Sequence, residues 1–255
     1  SEFLYLGRKE LPDEEEQFRI YKQAVQNLAG KKLIVRTLDI GADKQASYFE
    51  LGEQENPALG LRACRVSLAR PEVFLTQARA LLRASTSGRL AVMFPLITGT
   101  REVEQLLDLW NQAKRELDEA GAAYADDIEI GIMIETPAAA IISDRLAPLV
   151  DFFSIGTNDL TQYTLAMDRQ NAALAEACQG QHESVMRLIR YTLESARRAG
   201  IWVGICGELG ADFELTEAFL RMGVDELSVS PSYILRLRDK IRNTDLREEY
   251  RRKEK

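Results

Sequence analysis

The chain has one histidine, His182, and three scattered cysteines, Cys64, Cys178 and Cys206, among 255 residues. A site built wholly of histidine is therefore excluded. The absence of any CxxC pair argues against a zinc knuckle or a disulfide framework. No apolar run approaches the roughly 20 residues of a membrane span, and no basic, apolar and cleavable leader opens the chain. Basic excess is missing too: 33 Lys+Arg stand against 40 Asp+Glu, a net charge of -7. Broad binding to nucleic acid or anionic lipid is disfavoured, and an anionic ligand must be met by a local cluster of base. The expectation is a cytoplasmic chain with a small-molecule ligand.

What is present is an alternation of short apolar runs with longer stretches of helical period, unchanged in character from end to end, with no low-complexity linker. The runs are Leu33–Val35, Leu90–Phe94, Ile130–Ile134, Phe152–Ile155, Ile201–Ile205 and a weaker one at Leu227–Val229. They read as buried parallel strands. Helices are expected from Pro12 to Leu28, from Pro71 through Leu82, around Val103 to Leu117 with a stop at Gly121, and from Glu183 to Ala199. The charged segment from Leu246 to Lys255 reads as a helix end or a frayed tail. The whole predicts one α/β domain over residues 1–255. A (βα)8 barrel of the TIM type is favoured over an open doubly wound sheet, with two of the eight strands expected outside the chain.

Nearly every run ends in polar or reactive residues: Arg36-Thr37-Leu38-Asp39, Glu135-Thr136-Pro137, Gly156-Thr157-Asn158-Asp159 and Cys206-Gly207-Glu208. Parallel strands deliver such ends to the face where barrel active sites lie. Glu135 and Asp159 offer hard carboxylate oxygens suited to Mg2+ or Mn2+ held together with a phosphate-bearing ligand, or they cap the helices that follow. Arg36, Lys44, Arg62 and Arg169 are candidate anion ligands, because a guanidinium fork matches phosphate or carboxylate. Arg62 and Arg65 read equally as ordinary helix charges. Cys206 stands at a strand end, where a thiol can donate a proton or attack, whereas Cys64 and Cys178 read as inert packing. His182 reads as a capping or surface residue.

Taken together, Gly131–Ala139, Phe152–Tyr163, Met167-Asp168-Arg169 and Cys206-Gly207-Glu208-Leu209 resemble the phosphoenolpyruvate-binding domain of enzyme I of the bacterial phosphotransferase system. The resemblance runs from Ser1-Glu2-Phe3-Leu4-Tyr5 to about Asn243. It implies a (βα)8 barrel that binds phosphoenolpyruvate and Mg2+, passes the phosphoryl group to a histidine on a separate N-terminal domain, and releases pyruvate. From there the group would go to a histidine phosphocarrier protein in sugar uptake. Residue by residue, it implies that Glu135 and Asp159 ligate the metal, and that Arg36, Arg62 and Arg169 grip phosphate and carboxylate. Lys44 and Asn158 join them, and Cys206 protonates the methylene carbon of the enolate. It also implies a homodimer formed by the barrel.

The chain departs from the family pattern in places. The family's arginine before the Ser/Thr-Glu-Phe run would precede Ser1, the usual His-Pro is His182-Glu183 here, and Gly210-Ala211 reverses a common order. The phosphohistidine domain and the first strands are expected to lie outside the chain, and the isolated chain is expected to bind without turning over. Competing readings are the barrel of a pyruvate phosphate dikinase or phosphoenolpyruvate synthase, a non-catalytic phosphoenolpyruvate sensor, and a metal-dependent aldolase on the same fold.

Overall fold

The computed structural model describes residues 2–40, 54–174, 177 and 181–247. Six strands follow chain order in one sheet: β1 (Leu33–Arg36), β2 (Leu90–Phe94), β3 (Glu129–Ile134), β4 (Phe152–Gly156), β5 (Trp202–Cys206) and β6 (Glu226–Leu227). The structure falls into two compact units, Ser1–Ile132 and Met133–Lys255, with the division inside β3. In the first unit β1 pairs parallel with β2 and β2 with the start of β3. In the second, β4 pairs parallel with β5 and β5 with β6. The fold is α/β with a parallel six-stranded sheet.

The helices are α1 (Glu14–Asn27), α2 (Cys64–Ala69), α3 (Pro71–Ala84), α4 (Thr100–Glu119), α5 (Pro137–Ile141), α6 (Ser143–Leu146), α7 (Thr157–Leu165), α8 (Glu183–Ala199), α9 (Thr216–Met222) and α10 (Pro231–Arg242). Local chemistry sets their ends. Asp13 caps α1 by accepting from the Glu16 amide at 2.8 Å, and Glu14, Glu15 and Glu16 place negative charge where the helix dipole favours it. Pro71 occupies the first turn of α3, where its missing N–H costs nothing. Gly200 closes α8 in the left-handed conformation, φ 76°, which only glycine adopts without penalty.

All five residues of β2 are buried, as a strand covered on both faces requires. Aromatic contacts knit each unit: Phe74 meets Phe94 edge-on at 5.7 Å in the first, and Phe152 stacks on Trp202 at 4.3 Å in the second. The expected strands are all present. Arg36 joins β1, β5 starts one residue late at Trp202 and takes in Cys206, and the weak last run shrinks to Glu226–Leu227. Of the expected charged tail, only Leu246 and Arg247 lie among the described residues. No helix among the described residues is long and apolar enough to cross a membrane.

Candidate active site

In the first unit the end of β1 gathers charge. Arg36, the last residue of β1, is ion-paired with Glu2 and, at 3.2 Å, with Asp39. Asp39 is 3% exposed and holds Arg62 by a fork: Oδ1 accepts from Nε at 3.2 Å and from Nη2 at 3.1 Å, and Oδ2 accepts from Nη2 at 3.0 Å. Arg62 is buried and lies before α2, so it is not an ordinary helix charge. Arg65 is one, bonding the carbonyls of Leu59 and Gly60. Two guanidinium groups thus stand side by side, matched by two carboxylates. Lys44 lies outside the described residues. Cys64 is buried and its thiol donates to the Leu96 carbonyl at 3.1 Å, the inert role expected of it.

In the second unit the ends of β4 and β5 lie in register, Gly156 opposite Cys206. That register brings the start of α7 onto the end of β5. The Thr157 hydroxyl donates to the Cys206 carbonyl at 2.9 Å, and the Asn158 Oδ1 accepts from the Glu208 amide at 2.9 Å. Gly207 makes the closeness possible. Its φ is +97°, and a Cβ there would sit 2.5 Å from the Thr157 Oγ1 and 2.7 Å from the Asn158 Oδ1. The Cys206 thiol lies between the Ser154 hydroxyl, which donates to Sγ at 3.4 Å, and the Ile155 carbonyl, which accepts from it at 3.5 Å.

Glu135 follows β3 and is 2% exposed. Thr136, not Glu135, caps α5, accepting from the Ala139 amide at 3.1 Å, so the capping alternative for Glu135 does not hold. Asp159 is the third residue of α7 and does not cap it. Its carboxylate is 3.8 Å from the Arg169 guanidinium. Ala166, left-handed at φ 53°, turns the chain so that Met167 bonds the Gln162 carbonyl and Arg169 comes back over the start of α7. His182 caps α8, accepting from the Ser184 amide at 3.3 Å, and is exposed, as expected.

Glu135 and Asp159 present oxygen donors only, the chemistry of Mg2+ or Mn2+. Glu135 is held close to the backbone: a Cβ on Gly156 would come within 2.9 Å of the Glu135 Cβ and Oε2. Among the described residues no group of three or more His, Cys, Asp or Glu is placed to hold a metal ion. A cation here would complete its shell from water and ligand oxygens, as Mg2+ commonly does. The residues fit.

Sequence reasoning passed over Asp39, Ser154 and Thr136. Each carried a signal: Asp39 and Ser154 are polar residues at or inside an apolar run, and Thr136 is a threonine directly before a proline that opens a helix.

A family model described as PEP-utilising enzyme, PEP-binding domain, matches residues 1–246. The chain belongs to this family. The phosphoenolpyruvate-protein phosphotransferase of Listeria monocytogenes is 48% identical over 245 residues, 96% of this chain and 43% of that protein. Those of Bacillus subtilis and Haemophilus influenzae are each 46% identical, over 100% and 97% of this chain and 45% and 43% of theirs. The chain therefore spans less than half the length of these relatives. Among solved structures, a malate synthase of Haloferax volcanii is similar with a TM-score of 0.58 at 13% identity, over 93% of this chain and 65% of that one. A citrate lyase of Burkholderia xenovorans is similar with a TM-score of 0.51 at 18% identity, over 67% and 54%. At such identities the likeness shows the fold of this PEP-binding domain family and nothing of its chemistry.

Proposed function

We propose that this chain binds phosphoenolpyruvate with Mg2+ and acts as the donor half of a phosphoenolpyruvate-protein phosphotransferase, its six strands belonging to a (βα)8 barrel and both units to one domain. The match over residues 1–246 supports the single domain. The observation that supports the chemistry is the register of β4 with β5, which brings Thr157 onto the Cys206 carbonyl and Asn158 onto the Glu208 amide, so that Cys206 and the start of α7 share one strand-end face. Arg36, Arg62 and Arg169 supply guanidinium forks for the phosphate and carboxylate of the ligand, and Lys44 and Asn158 further polar contacts. Glu135 and Asp159 would hold the cation; Mn2+ has the same oxygen preference as Mg2+. When bound, that ion neutralises developing negative charge on the ligand oxygens.

Transfer breaks the bond between phosphorus and the enol oxygen and forms one between phosphorus and a histidine nitrogen of a separate domain. The electron pair left on the enol oxygen becomes a pyruvate enolate, which the arginines stabilise. The Cys206 thiol gives its proton to the methylene carbon, and the thiolate recovers a proton from solvent. Ser154, donating to the sulfur, would stabilise the thiolate. On this reading the partners are the phosphohistidine domain, through it a histidine phosphocarrier protein, and a second copy of the chain in a homodimer. The place of action is the cytoplasm.

Calorimetric titration of phosphoenolpyruvate, with and without Mg2+, into the wild-type chain and a Glu135→Ala variant tests the reading. Binding that depends on Mg2+ and is lost in the variant is expected. A folded wild-type chain that takes up no phosphoenolpyruvate would refute it.

A further inference from the structure

We propose that Asp39 is the positioning residue of the arginine pair, the group that sets the spacing and tilt of Arg36 and Arg62 before an anion arrives. The inference rests on the reading of those arginines as ligands of the phosphate or carboxylate. One carboxylate contacts both guanidinium groups: a fork of 3.0 to 3.2 Å to Nε and Nη2 of Arg62, and an ion pair of 3.2 Å to Nη1 of Arg36. A planar fork held on one edge is fixed in its plane, so neither guanidinium can reorient without breaking contact with the shared oxygens.

Asp39 is itself clamped. Its neighbours Leu38 and Ile40 are in the apolar cluster with Tyr5, Val66 and Val73. The Leu38 amide donates to the Gln77 Oε1 at 2.9 Å, and Gln77 donates in turn to the Tyr21 hydroxyl at 2.9 Å. Tyr21 and Tyr5 both donate to the Gln17 Oε1, at 3.2 and 3.0 Å, and Gln17 donates to the Pro12 carbonyl at 3.0 Å. All these side chains are buried, so the chain of bonds is one in which each member needs the next. The Arg62 side is tied to the same loop, because the Ala63 amide donates to the Ile40 carbonyl at 3.2 Å. A long side chain that is already ordered loses less freedom on meeting its ligand, and that is how a residue outside the ligand contacts raises affinity.

The test is a double-mutant cycle on phosphoenolpyruvate affinity, measured by calorimetry with Mg2+ on the full chain: wild type, Asp39→Asn, Arg62→Ala, and both together. Asp39→Asn is expected to weaken binding about tenfold when Arg62 is present and less than about threefold when it is alanine, because the effect passes through the arginine. Pyruvate, which lacks the phosphate, is expected to lose less than phosphoenolpyruvate in both single variants. Equal losses in the two backgrounds would mean a diffuse structural effect and would overturn the proposal, as would an Asp39→Asn chain with wild-type affinity. Should Asp39→Asn fail to fold, Asp39→Glu keeps the charge and moves it by one methylene. Weakened binding there is expected, and wild-type affinity would overturn positional control. A wild-type chain that binds no phosphoenolpyruvate would overturn the functional reading and this inference with it, a result distinct from binding that is insensitive to Asp39.

Discussion

Adding one methyl group at Gly156 measures how tightly Glu135 is held. The backbone there, φ -83° and ψ 86°, does not require glycine, so the cost of Gly156→Ala is steric. The new Cβ would lie 2.9 Å from the Glu135 Cβ, from its Oε2 and from the Met133 Sδ. Carbon atoms rest at about 3.5 Å or more, so a shift of roughly 0.6 Å or more is needed. Glu135 and Met133 are 2% and 4% exposed and have little free space to move into. Overpacking of this kind costs about 1–3 kcal/mol. In a chain of this length that lowers the melting temperature by roughly 2–12 °C. If Glu135 holds the cation as proposed, its displacement is expected to weaken Mg2+-dependent phosphoenolpyruvate binding about 10- to 100-fold. The assays are thermal unfolding by circular dichroism and calorimetric titration. Gly204→Ala is the control, because its Cβ would meet nothing nearer than 3.4 Å, an ordinary contact, and both readouts should stay near wild type. A Gly156→Ala chain that melts and binds like wild type would show that Glu135 has room to move, and the argument from close approach would fail.

Cys206→Ala should leave phosphoenolpyruvate affinity nearly unchanged while phosphoryl transfer to a supplied histidine domain falls by about 100-fold or more, the scale of a lost general acid. An undiminished transfer rate would remove Cys206 from its role. In the first unit, Arg79 bridges Glu14 and Glu116 at 2.7 and 2.6 Å, joining α1, α3 and α4. The Gln112 amide and then Arg79 hold the Glu116 carboxyl below its ordinary value of 4.5, with burial opposing. A depressed folded value means that the stabilisation is fully present above about pH 4.5 and fades as pH falls through the folded value. Glu116→Gln should therefore flatten the decline in melting temperature between about pH 5 and pH 3; superimposable profiles would show that the network gives nothing.

The fold was legible because two signals agreed at most elements. A fully buried strand such as β2 must be apolar throughout, and α8 carries a cap at His182 and a left-handed stop at Gly200, so both ends were written in residue types. β6 was faint for a physical reason: it contributes two residues, and Glu226 is exposed. Individual candidate residues stood out where they close an apolar run, as Arg36 and Cys206 do. Arg62 was ambiguous because the nearby residues Cys64 to Ala69 do form a helix, and its buried partner Asp39 separates it from the surface arginines. The bonds from Gln77 to Leu38 and to Tyr21 join residues 39 and 56 positions apart, and no local pattern encodes that.

On the proposed reading the two clusters would select by different means. Arg36 and Arg62 are ion-paired with Glu2 and Asp39, which offset their charge. What would distinguish one anion from another there is the fit of its oxygens to two guanidinium planes, which is a matter of distance and angle. On the proposed reading Glu135 and Asp159 would instead offer carboxylate oxygens to a hard cation, whose remaining octahedral positions water and ligand oxygens would fill. A protein with net charge -7 gains from this division. On the proposed reading attraction would come from the metal, which a negative surface does not repel, and discrimination from arginines already paired with carboxylates. A single carboxylate such as Asp39 can then govern affinity although it carries the same sign as the ligand. Its removal would make the cluster more positive, and the expected outcome is still weaker binding, because order is lost while charge is gained.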